Sequence, residues 1–279
     1  MTDQVGLHGR FAWYELMTTD VAAAASFYTE VVGWEARDAS MPGAPYMLLG
    51  IRDRAVGGLM GLPPDARKAG ATPRWVGYVG VDDVAAAAGL VPRLGGITHL
   101  PPTDVADVSR IAIVADPQMA MFGLIAWLGD DPTHADQRAP GCVGWHDLLA
   151  ADATTIFAFY SELLGWRKAE TDVDKGGAYQ LFSAGGQTIG GMFSKPAMVP
   201  VPFWLYYFNV GDVDAAAARA EAAGGEILEG PLDVIGGAAV VRCVDPQGAM
   251  FAMIGQRAKS ATGYFARSPS AGRDGRWSW

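Results

Sequence analysis

"FAWYELMTTDVAAAASFYTEVVGW" (Phe11 to Trp34) and "VGWHDLLAADATTIFAFYSELLGW" (Val143 to Trp166) are two copies of one segment, superposable without a gap. Trp13 meets Trp145, Asp20 meets Asp152, Phe27-Tyr28 meets Phe159-Tyr160, and Gly33-Trp34 meets Gly165-Trp166. Each copy begins with alternating apolar residues, which fits a strand with one buried face. An Asp at helix N-cap position and a run of apolar residues with helical spacing follow, closed by a glycine.

The match extends along the chain. "VDDVAAAAGLVPRLGG" pairs with "VGDVDAAAARAEAAGG", and "DPQMAMFGLI" with "DPQGAMFAMI". Each copy also contains a shorter echo of its own opening, so that Asp20 corresponds to Asp83 and Asp152 to Asp212. Short alternating runs such as "YMLLGI", "GGLMGL" and "RIAIVAD" complete the unit. The pattern predicts a β-α-β-β-β module used four times, an internal repeat that settles architecture before any other feature. The expected layout is an α+β protein of two tandem domains, residues 1–129 and 142–256, with a polar linker at 130–141 and a tail at 257–279. The tail leaves the repeat and carries Tyr264, Phe265, Trp277 and Trp279 among several arginines, either as disordered chain or folded back on a domain.

Composition limits the function classes. The chain has 279 residues, half of them hydrophobic, which suffices for two cores. A net charge of −9 and a pI near 4.9 argue against polyanion surfaces, so neither nucleic acid nor membrane is an expected partner. The N-terminus lacks a basic start and an apolar core, so no signal peptide is expected and the location is read as cytoplasmic. Cys142 and Cys243 are isolated and expected to be free thiols.

The "D…FY…LGW" signatures (Asp20, Phe27, Tyr28, Gly33, Trp34; Asp152, Phe159, Tyr160, Gly165, Trp166) and the turns Asp116-Pro117 and Asp245-Pro246-Gln247-Gly248 resemble the vicinal oxygen chelate superfamily. That group includes glyoxalases, bleomycin-resistance proteins and extradiol dioxygenases, and within it the chain looks like the two-domain bacterial glyoxalase-like proteins. The resemblance implies that paired modules form curved sheets around a cavity. It does not imply one activity, because the scaffold hosts isomerases, epimerases, dioxygenases, thiol transferases and drug binders.

Members that use a metal hold it on the concave face. The resemblance places ligands seven residues before the capping Asp on each module's first strand, and seven after the Asp of the "DPxG" turn. In this sequence those positions are Trp13, Val76 and Gly123, then Trp145, Leu205 and Ala252, none of which has a side chain that ligates a divalent ion. No metal and no cofactor are expected. His146 is the only conventional donor within one residue of them. It is expected to face the helix layer as a half-buried structural histidine, like its counterpart Tyr14.

Strand alternation gives the concave face Trp13, Glu15 and Met17 with Tyr78 and Met121, and in the second copy Trp145, Asp147 and Leu149 with Tyr207, Asn209 and Met250. Trp13, Tyr78, Met121, Trp145, Tyr207 and Met250 are therefore the candidate ligand-binding residues. Glu15 and Asp147 are candidate acid–base groups, because a carboxyl beside a Trp in a dry pocket has a raised pKa. The same carboxylates could instead hydrogen-bond tyrosine hydroxyls and stabilise the sheet junction. The expected function is metal-independent binding of a small, partly aromatic or apolar molecule, by a monomer with pseudo-dimeric domains or by a homodimer. The alternative is a glyoxalase-like lyase or isomerase, or a hydroxylase or dioxygenase-type enzyme, with a divergent site. The paired glycines Gly57-Gly58, Gly95-Gly96, Gly190-Gly191 and Gly224-Gly225 are read as bulges and helix caps.

Overall fold

The computed structural model describes residues 7–41, 45–52, 54–129, 137–170, 179–234 and 236–257. Each copy of the repeat builds one eight-stranded sheet. In the first, β1 (Phe11–Thr18), α1 (Val21–Val32), β2 (Glu35–Asp38), β3 (Tyr46–Ile51) and β4 (Arg54–Gly61) form one module. A short helix, α2 (Pro64–Lys68), leads to β5 (Arg74–Gly80), α3 (Val84–Leu90), a 3₁₀ turn (Val91–Leu94), β6 (Ile97–Val105), β7 (Ser109–Ala115) and β8 (Met121–Trp127). The order β2-β3-β4-β1-β5-β8-β7-β6 places the first strands of the two modules side by side and antiparallel. Each first strand has its own module's last strand as parallel partner on the other side.

The second copy repeats this with β9 (Val143–Ala150), α4 (Ala153–Leu164), β10 (Arg167–Lys168), β11 (Tyr179–Ala184), β12 (Gln187–Ser194), β13 (Phe203–Asp212), α5 (Val213–Ala222), β14 (Glu226–Asp233), β15 (Ala239–Val244) and β16 (Met250–Gln256). The paired βαβββ architecture expected from the repeat is therefore the observed one. Of the tail, only Arg257 is among the described residues; it pairs with Asp214. Cys142 and Cys243 are buried, and no disulfide joins them. Among the described residues, no helix is long and apolar enough to cross a membrane.

The local signals act as their chemistry requires. Asp20, Asp83, Asp152 and Asp212 each accept a backbone N–H from the first turn of the helix that follows. Gly33 and Gly165 end α1 and α4 with φ of +86° and +69°, a conformation that costs a Cβ-bearing residue more. The "DPxG" turns place Asp116 and Asp245 as acceptors for two N–H groups each, from Gln118 and Ala120 and from Gln247 and Ala249. The left-handed position of that turn is Gly248 in the second copy and Met119, at φ +78°, in the first.

The helix sides of both sheets share one continuous core. Tyr28 donates to Asp245 (3.0 Å) and Tyr160 to Asp116 (2.8 Å), so the signature tyrosine of each copy is tied to the turn of the other. Trp34 Nε1 donates to the Gly141 carbonyl and Trp166 Nε1 to that of Gly9, again across the copies. The Ala-rich helices accordingly pack on each other as well as on sheets: Arg219 of α5 donates to the terminal carbonyls of Glu30 and Val31 in α1. At the centre of this core the copies differ. Tyr206 fills the space beside Gly77, where an added Cβ would lie 2.6 Å from its ring. Its hydroxyl accepts the Gly77 N–H at 2.7 Å.

Candidate functional site

Turned away from that shared core, each sheet presents its other face, with an apolar cluster of its own. In the first domain the cluster contains Trp13, Val76, Tyr78, Ile113 and Ile125, with half-buried Met17, Leu48, Ile111, Met121 and Trp127 around them. In the second it contains Leu149, Leu205, Tyr207, Val240 and Ala252, with half-buried Trp145, Phe193, Phe203, Met250 and Ile254. The faces fall as strand alternation predicts, and all six candidate ligand-binding residues lie on them.

A buried carboxylate sits at the middle of each face. Glu15 accepts from Tyr46 (3.0 Å) and Tyr78 (2.8 Å), and Trp13 Nε1 donates to the Tyr46 hydroxyl (3.2 Å). Asp147 accepts from Tyr179 (2.6 Å), Tyr207 (2.7 Å) and Trp145 Nε1 (3.0 Å). Burial pushes both carboxyls above their ordinary pKa, and the tyrosine hydroxyls partly oppose it by favouring the charged form. The acid–base role and the sheet-stabilising role thus draw on the same contacts: the carboxylates do bond tyrosine hydroxyls, and they do so on the concave face.

Tyr46 and Tyr179 are the residues that sequence reasoning missed. They occupy the first position of β3 and β11, at equivalent points of the repeat. Their rings lie across glycines. An added Cβ on Gly58 would stand 2.0 Å from the Tyr46 hydroxyl, and one on Gly191 2.1 Å from the Tyr179 ring. This narrows the reading of those glycines as bulges. The register slips just before each pair, at Val56 and Ile189, and Gly58 and Gly191 serve close ring approach. Gly95 and Gly224, in contrast, do close helical segments in the left-handed region.

His146 is also corrected. It faces the helix layer as expected, but it is fully buried, as is Tyr14, because the two copies' cores merge there. Phe11 stacks on its ring at 4.1 Å. Its Nδ1 meets the carbonyl of the slipped residue Ile189 at 2.6 Å, so Nδ1 carries the proton and Nε2 accepts from the Tyr14 hydroxyl at 2.6 Å. Burial lowers its pKa to about 4. It is a neutral link between the domains, far in character from a metal ligand.

The metal positions fail a fit test. Besides lacking donors, Gly123 lies under the Tyr78 ring, where an added Cβ would be 2.1 Å from a ring carbon. A ligating side chain has no room there while Tyr78 is in place. Among the described residues, no group of three or more His, Cys, Asp or Glu is placed to hold a metal ion.

The domains diverge around their carboxylates. In the second, Arg242 donates to the Tyr207 hydroxyl (3.3 Å) and pairs with Glu229 (2.5 Å). The equivalent first-domain residue is Ile113, from the shared register opposite Gly123 and Ala252. The first domain instead carries Arg74, opposite Met17, where the second has Phe203 opposite Leu149.

Fold and faces together define a tandem protein of paired βαβββ modules with a carboxylate–tyrosine cluster on each concave sheet. The chain belongs to the glyoxalase/bleomycin resistance protein/dioxygenase superfamily, whose model matches residues 10–124 and 143–253. It is 35% identical over 248 residues to the Mycobacterium bovis protein named "Putative glyoxylase CFP32", covering 87% of this chain and 93% of that one. It is 31% identical over 259 residues to the anthracycline biosynthesis protein DauV of Streptomyces sp., covering 88% and 93%. Among solved structures, the Mn(II)-bound glyoxalase from Novosphingobium aromaticivorans shares the fold with a TM-score of 0.63 at 15% identity, covering 90% of this chain and 83% of that one.

Proposed function

We propose that the concave faces bind a small, largely apolar or aromatic molecule without a metal at the superfamily position. The observation that carries this reading is the composition of the faces. Half-buried Met, Trp and Phe side chains surround a few convergent polar groups, the pattern of a small-molecule site. Tyr46 and Tyr179 are half-buried where the Glu15 and Asp147 they bond are buried, so the tyrosines lie between the carboxylates and the open side. The carboxylates then orient tyrosine hydroxyls toward a ligand, and their raised pKa suits them to return a proton through those hydroxyls. The naming of DauV for anthracycline biosynthesis supports a ligand built on fused rings.

The test combines two measurements on protein purified without chelators. Elemental analysis is expected to find no stoichiometric divalent ion. Quenching of tryptophan fluorescence is expected on titration with 2-naphthamide or anthraquinone, and to be weakened in Glu15→Gln and Asp147→Asn variants. A stoichiometric metal, or no response to either probe, refutes the reading.

A further inference from the structure

Arg74 is a cation on an apolar face with no counter-ion among the described residues. Its Nε donates to the Thr72 carbonyl (3.1 Å) and its Nη1 lies 3.4 Å from the Met121 sulfur, a weak acceptor. No carboxylate of the described residues lies within ion-pair distance of it, whereas Arg110, Arg242 and Arg257 each have one. It is half-buried, and desolvation lowers its pKa with no opposing charge. Its place on the sheet is fixed by the register: it is opposite Met17 and two residues from Val76, both in the first domain's concave cluster. A guanidinium in that setting has lost water and gained no charged partner, so it is primed for an anion that brings its own apolar body.

The second domain lacks this feature. Phe203 takes the place of Arg74, and that face's own cation, Arg242, is already neutralised by Glu229. We infer that the first domain's concave face takes an apolar or aromatic carboxylate, seated bidentately on Arg74 with its body on Met17 and Met121, and that the two faces are not equivalent. This inference rests on the binding reading above and adds the charge of the ligand and the domain that selects it.

Two probes of one shape separate the two ideas: 2-naphthoate, an anion, and 2-naphthamide, its neutral isostere. In the wild-type chain 2-naphthoate is expected to bind about tenfold to a hundredfold more tightly, the range for a hydrogen-bonded charge pair. The preference is expected to shrink with added salt. Arg74→Phe, which copies the second domain's residue, is expected to erase the preference while 2-naphthamide binding stays within about twofold, and Arg74→Lys to retain part of it. Arg74→Gln provides the same comparison should the phenyl ring alter the fold. Equal binding of the two probes to wild type, or a preference that survives both Arg74→Phe and Arg74→Gln, overturns the inference and leaves the binding reading standing. No response of wild type to either probe overturns the inference, and no response to anthraquinone as well overturns the binding reading itself.

Discussion

Replacing Tyr179 by Phe removes one hydroxyl from a buried carboxylate and leaves the ring in place over Gly191. The 2.6 Å bond to Asp147 is the shortest in that cluster. A hydrogen bond to a charged acceptor contributes about 1.5–3 kcal/mol and one to a neutral acceptor about 0.5–1.5 kcal/mol. Tyr179 is half-buried, so the lower part of each range applies, and the variant's loss should be ~1 kcal/mol larger with Asp147 ionised than protonated. The sign follows from linkage. Burial holds the folded Asp147 pKa above its unfolded value, and the Tyr179 bond opposes that rise. Between the two values the folded state holds a proton that the unfolded state has lost, so this group's contribution falls as pH rises through that window. Removing the hydroxyl moves the folded value further up and widens the window. Urea unfolding followed by circular dichroism should therefore show the variant's deficit growing by the same ~1 kcal/mol as pH rises from below the ordinary carboxylate range through the raised folded value. The infrared carbonyl band of the protonated carboxyl should disappear at higher pH than in wild type. In an Asp147→Asn background the pH dependence of the Tyr179→Phe deficit should vanish. A deficit independent of pH, or an unmoved carboxyl band, would refute the assignment of Asp147 as a burial-raised carboxyl held by Tyr179.

Three further outcomes test other parts of the structure. Gly123→Ala should lower the urea midpoint by the equivalent of about 1–3 kcal/mol through overpacking against Tyr78; an additional Tyr78→Ala change should relieve that clash, and wild-type stability for Gly123→Ala would contradict the ring's position. His146 has a folded pKa of about 4, depressed below its unfolded value of about 6.5, so its contribution is full above that value and is lost as pH falls toward 4. Wild type should thus lose ~1.4 kcal/mol per pH unit relative to His146→Gln across that window, and parallel stability profiles would show that the ring is not buried neutral. Met119→Gly should raise the thermal midpoint, worth about 1 kcal/mol, since φ there is +78° and the second copy already has Gly248; an unchanged or lower midpoint would mean the Met side chain contributes packing that outweighs its backbone strain.

The fold was legible because the repeat states it four times. Capping aspartates, the glycines that end α1 and α4, and apolar alternation are local signals, and the copies corroborate one another. The concave faces were legible for the same reason, since period-two alternation needs only one anchored residue. Tyr46 and Tyr179 were not, because they begin strands that follow the loops, although in both copies a tyrosine opens the strand that pairs with the strand carrying the paired glycines. The full burial of His146 is invisible locally because it comes from the other copy, through Phe11 and Tyr14, and from Tyr206, contacts between residues distant in sequence. Arg74 and Arg242 are hidden for an opposite reason. Comparing repeats highlights what the copies share and passes over positions where only one carries a charge.

Those unshared positions explain what tandem fusion makes possible. At the centre of the common core, Tyr206 occupies space that exists only because its counterpart is Gly77, and Tyr14 donates to a histidine where its own counterpart must accept. Two identical chains related by a two-fold axis would present the same residue at both places. Two glycines would leave a void and an unpaired amide, while a second tyrosine would need a Cβ 2.6 Å from the first ring. Donor and acceptor on one covalent chain remove that conflict. The same freedom reaches the outer faces, where Arg74 stands against Phe203 and Ile113 against Arg242. A fold inherited in duplicate therefore need not provide duplicate sites. If the two-fold relation were functional rather than only structural, exchanging Arg74 and Phe203 in one chain would move the carboxylate preference to the other domain at equal strength. The inequality around Glu229 predicts instead that Phe203→Arg creates a weaker site, because that face already holds a neutralised cation beside Asp147.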